Sequence, residues 1–64
     1  MPSTFELRSM QKRNLFRLLE VRFEMEKAGG NIDFTVFDKL IMEHKLAMEE
    51  EDVALVEKNI NKLK

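Results

Sequence analysis

Residues 27–34 read Lys-Ala-Gly-Gly-Asn-Ile-Asp-Phe, and the Gly29–Gly30 pair inside this stretch divides the chain into two long segments. The only other Gly or Pro is Pro2. Glycine takes positive φ without a side-chain clash, so Gly29 is read as the left-handed stop of a helix ending near Ala28, with Lys27 suitably placed in its last turn. A phosphate cradle is the competing reading of Gly-Gly. That signature needs more glycine and a following Lys-Ser or Lys-Thr, which are missing here.

Upstream, Ser3 and Glu6 have the spacing of a capping box, which starts the first helix near Thr4 or Phe5. Two apolar stripes run along this helix. One holds Phe5, Phe16, Leu19 and Phe23; the other holds Leu7, Met10, Leu18, Val21, Met25 and Ala28. Leu15 lies between them, on a strip interrupted by Arg8, Arg22 and Glu26. Two stripes are more apolar surface than one neighbouring helix covers.

Downstream, Asn31 and Asp33 are candidate caps for a second helix, and Asp33 is preferred because Phe34 and Phe37 open an apolar rhythm just after it. Phe34, Phe37, Ile41 and Met48 form one face. Met42, Leu46, Val53, Val56, Ile60 and Leu63 form another, in the three-and-four steps of a coiled-coil seam, with Glu49 in one apolar slot. Two arrangements satisfy this. Either a single helix of about 45 Å overhangs a first helix of about 36 Å, or the helix breaks near Glu49–Asp52, with Asp52 capping a short third helix. The short connection at Gly29–Gly30 makes the first two helices antiparallel. The fold class expected is therefore all-α: a single domain over 1–64, built as an antiparallel helical hairpin with a possible short third helix after residue 49.

Length then argues for assembly. A chain of 64 residues buries only about 60% of the surface its unfolded form exposes, and one small core rarely supplies more than about 3–5 kcal/mol. There is no Cys for a disulfide and one His, His44, for a metal site. Self-association is the remaining remedy, and a two-fold homodimer forming a four-helix bundle is its commonest form. The interface is assigned to Phe5, Phe16, Leu19 and Phe23 of the first helix and to Met42, Leu46, Val53, Val56, Ile60 and Leu63 of the coiled-coil seam. Met10, Met25, Met42 and Met48 add flexible thioethers suited to a surface that adapts to a partner.

The formal charge is -1, too small a field to attract nucleic acid or an anionic membrane over the whole molecule. Residues 1–28 carry six Lys or Arg against four acids, and 29–64 carry five against eight, so the halves attract one another. No apolar run approaches the roughly 20 residues that span a bilayer, and the N-terminus lacks the pattern of a signal peptide. These observations predict a cytoplasmic protein.

Chemistry-bearing motifs are weak. Glu49–Asp52 splay around a helix axis and form no calcium loop. Ser3, Ser9, Thr4 and Thr35 have no positioned base, so neither an enzyme nor a cofactor is expected. His44 shares the face of Phe37, Ile41 and Met48, where an imidazole could sense pH across a subunit contact. The sequence points to a small non-catalytic interaction module or regulator acting as a helical homo-oligomer, with a protein partner helix as a further ligand. The alternative is a dimeric RNA- or DNA-binding regulator using Arg13 and Arg17, weakened because both share a face with Glu20 and Glu24.

Overall fold

In a computed structural model of the chain, residues 3–63 are described; Met1, Pro2 and Lys64, and with them the punctuation assigned to Pro2, lie outside the described residues. The architecture is all-helical: α1 (Thr4–Ala28), α2 (Thr35–Leu46) and α3 (Glu50–Asn61), with no strand among the described residues. Of the two arrangements left open for the second segment, the broken one forms. The break falls at residues 47–49, slightly earlier than Glu49–Asp52, and the uninterrupted helix does not form.

α1 begins as its sequence dictates, with Ser3 Oγ accepting the Glu6 amide at 3.1 Å. It ends at Gly29, whose amide donates to the Glu26 carbonyl. Gly29 has φ 82° and ψ −175°. It therefore occupies an extended mirror region open essentially to glycine alone, rather than the left-handed helical region expected. Asp33 works one position earlier than a regular cap. Its Oδ1 accepts from the Thr35 amide (2.9 Å) and the Thr35 hydroxyl (2.6 Å), while Phe34 occupies the cap position itself. These donors hold the Asp33 carboxyl below the usual carboxylate range, the Thr35 hydroxyl bond contributing most. Asp52 is no cap either. Glu49 precedes α3, and Asp52 stands in its first turn with its side chain turned to α1.

The helices meet through α1. Arg22 reaches Asp38 while Gln11 reaches His44 and Ala47, so later residues of α2 lie beside earlier residues of α1. α3 runs the other way, from Arg8 at its start to Leu19 and Phe23 beside Ile60. α2 and α3 hardly touch each other. The coiled-coil rhythm thus does not form one seam: the bend at 47–49 leaves Met42 and Leu46 exposed and sends Val56 and Ile60 into the interior.

The core is small. Leu15, Ile41, Val56 and Ile60 are the buried apolar residues among those described, with Phe16, Leu18, Leu19, Phe37, Met48 and Val53 packed around them half-buried. The molecule is elongated, 41 × 24 × 18 Å, with a radius of gyration of 12.7 Å, against about 10.7 Å for a compact domain of this length.

Candidate interaction surfaces

Ion pairs at the edge of the apolar core join both α2 and α3 to α1. Arg8 forks onto Asp52, donating from Nε at 2.8 Å and from Nη2 at 2.9 Å, and Nη2 also reaches Glu51 at 2.8 Å. Asp52 is buried, and no buried polar side-chain atom among the described residues lacks a partner. The bidentate geometry is what makes burial of that carboxylate tolerable. The Arg8 hydrogen bonds hold Asp52 below the usual carboxylate range, and Lys12 adds to the effect; Asp52 in turn raises the Arg8 guanidinium above its ordinary value. Arg22 does the same for α2: it donates to Asp38 at 2.6 Å, pairs with Glu26 at 3.1 Å, and lies 4.5 Å from the centre of the Phe34 ring. Asp38 first, then Glu26, raises its guanidinium too.

These are the residues that sequence reading treated as interruptions of the Leu15 strip. The signal was present. An arginine set into a buried stripe requires an acid opposite it, and the acids were the run Glu49–Asp52 and Asp38.

Two surfaces remain apolar and open. The first is a cleft of about 400 Å³ between α2 and α3, lined by Met42, Leu46, Val53 and Ala54 and edged by Lys45, Glu50 and Glu57, with Lys45 and Glu57 paired at 3.6 Å. The second is the outer side of α1 with the adjoining side of α2. At 100° per residue, Leu7, Met10, Asn14, Leu18, Val21, Met25 and Ala28 fall within about 80° of arc. Leu7 and Met10 are exposed there, and on α2 so are Val36, 79% exposed, and Leu40. The whole chain exposes 5151 Å², against about 4300 Å² for a compact monomer of this mass. The surplus is of the same order as the ~800 Å² that each partner contributes to a standard interface.

The residues assigned to an interface separate into three groups. Val56 and Ile60 are buried within the chain; Phe16, Leu19, Phe23 and Val53 are half-buried; Phe5, Met42, Leu46 and Leu63 are exposed. The outer α1 stripe and the Val36–Leu40 pair were left off that assignment, although the stripe itself was legible. Arg13 and Arg17 are both exposed, and Arg17 lies 3.6 Å from Glu20.

His44 lies half-buried between α1 and α2, with Nε2 3.1 Å from the Gln11 carbonyl. A carbonyl only accepts, so Nε2 carries the proton in that bond. Among the described residues no cluster of His, Cys, Asp and Glu gathers to hold a metal, and no helix is long and apolar enough to cross a membrane. Comparison of the chain with models of protein families, with curated proteins and with solved structures finds no match, so the geometry alone carries the functional reading.

Proposed function

We propose that this chain is a small non-catalytic interaction module that works as a helical homo-oligomer, with two copies packing their α1–α2 layers into a four-helix arrangement. One observation carries the reading: apolar side chains of α1 (Leu7, Met10) and α2 (Val36, Leu40) stand exposed, on a chain whose total surface exceeds that of a compact monomer of its mass. Soluble monomers seldom expose a contiguous apolar patch of more than a few hundred Å². Four buried apolar side chains among the described residues also make a thin core, and a second copy would enlarge it without lengthening the sequence.

The nucleic-acid reading has less behind it. Arg13 and Arg17 are accessible, but Glu6, Glu20 and Glu24 share their side of α1, so no continuous basic surface lies along the helix. Binding of that kind would weaken steeply with salt, whereas burial of apolar surface would not.

Thermal unfolding followed by circular dichroism at protein concentrations spanning two decades tests the proposal. An oligomer that unfolds to monomers gains stability by mass action, so its midpoint rises with concentration. A midpoint that stays fixed from micromolar to near-millimolar protein would contradict it.

A further inference from the structure

The outer stripe of α1 reads almost the same in both directions. Its members stand at 7, 10, 14, 18, 21, 25 and 28. Turned end to end about Leu18, the stripe sets Leu7 against Ala28, Met10 against Met25 and Asn14 against Val21. Each apolar end residue thus meets an apolar residue, and Leu18 meets itself.

The row beside the stripe has the matching property in charge. Glu6, Arg13, Arg17, Glu20, Glu24 and Lys27 occupy the adjoining 80° or so of arc on the side away from α2. In order their signs are minus, plus, plus, minus, minus, plus. Reversal inverts every sign. Glu6 then faces Lys27, Arg13 faces Glu24 and Arg17 faces Glu20; about Leu18 the last two pairs fall about one residue from level and Glu6–Lys27 about three, or roughly 4.5 Å of axial rise. A two-fold axis perpendicular to a pair of antiparallel helices brings the same flank of both together, so this row meets its own copy. Within the chain, Glu6, Arg13, Glu24 and Lys27 make no side-chain ion pair with any described residue.

α2 supplies an independent check. The contacts of Arg22 with Asp38 and of Gln11 with Ala47 bring Leu40 roughly level with Leu18. Leu40 is exposed, one helical turn before His44, which contacts Gln11 at the edge of the α1 stripe. The axis that passes Leu18 therefore also passes Leu40, and it brings Val36 opposite His44 of the second copy.

We infer that the occupant of this face is a second copy of the same chain, docked antiparallel with α1 on α1 and α2 on α2, on a two-fold axis through Leu18 and Leu40. This rests on the homo-oligomer reading and adds the surface, the direction and the register.

The chain has no Cys, so single-cysteine variants report contacts without background. With a short thiol-to-thiol cross-linker, Leu18→Cys and Leu40→Cys are each expected to link to themselves. Met10→Cys is expected to link to Met25→Cys in a mixture of the two proteins, and neither of these to link alone. Charge reversal gives a second readout that leaves the core untouched. Arg13→Glu and Glu24→Arg each place two like-charged pairs across the dimer and should weaken it by on the order of tenfold. Mixing the two variant proteins sets opposite charges against one another again across unlike copies and should restore dimer formation.

Self-linking of Met10→Cys, or failure of the mixed charge variants to recover, overturns the antiparallel register while an oligomeric wild type keeps the proposed function standing. A wild-type chain that is monomeric throughout overturns both.

Discussion

The two flanks of α1 show how differently one helix is used. Its inner flank carries Leu15 and the arginines Arg8 and Arg22, and the chain satisfies it internally: Ile41 and Val56 complete the packing, while Asp38 and Asp52 receive the guanidinium groups. Its outer flank carries a second apolar stripe that the chain covers only in part: Leu18, Val21 and Met25 are half-buried, while Leu7 and Met10 are exposed. The lesson concerns specificity. The inner flank differs from the outer in its charges: Arg8 and Arg22, both partly exposed, each pair with an acid on a helix that covers this flank.

Replacements on the inner flank should have the largest effects. Leu15 has no exposed surface, and Leu15→Ala is expected to destabilise the fold by about 2–5 kcal/mol, measured by chemical denaturation at fixed protein concentration. A loss below about 1 kcal/mol would mean that the inner flank is not the organising one.

Acid sharpens the same contrast through Asp52. Its folded-state pKa lies below its unfolded value of about 3.9, so the contribution of the Arg8 pairing is fully present above that pH and fades as pH falls through the folded value. Stability measured from pH 5 down to pH 2 should therefore fall in the wild type, and Asp52→Asn should remove part of that slope while lowering stability at pH 7. An unchanged slope would detach Asp52 from the docking of α3.

Smaller effects belong to the turn. Gly29→Ala forces a side chain into positive φ with open space around it, so the cost is purely conformational, about 1–3 kcal/mol. Smallest of all is the outer flank judged on the monomer. Leu40→Ser should change the stability of a dilute sample by no more than about 0.5 kcal/mol, yet it should abolish the rise of melting temperature with concentration. An equal effect at all concentrations would place Leu40 in the core of the single chain.

Much of this was legible in the sequence, and the residues explain how much. Ser3, Glu6, Gly29 and Asp33 act through local geometry, so the ends of α1 and the start of α2 could be placed to within a residue or two. Both α1 stripes were visible as well, because periodicity is also local. The bend at 47–49 was not decidable. Residues 42–63 fit a continuous seam equally well, and what breaks it is tertiary: Asp52 must turn toward Arg8, 44 positions away. The same long-range pairing explains why the seam was assigned to one surface, although Val56 and Ile60 are interior while Met42 and Leu46 are exposed. An ion pair across such a distance leaves only its two charges in the sequence, each indistinguishable from a solvated one.

The claim that the outer flank of α1 is built for a second copy is tested most directly by the mass of the purified chain in solution, read by light scattering across a size-exclusion peak. About twice the chain mass of 7.6 kDa is expected at high protein concentration, falling toward a single chain on dilution. A mass of one chain at every concentration, with full helical content, would contradict it and leave the open face of α1 and α2 as a property of the monomer.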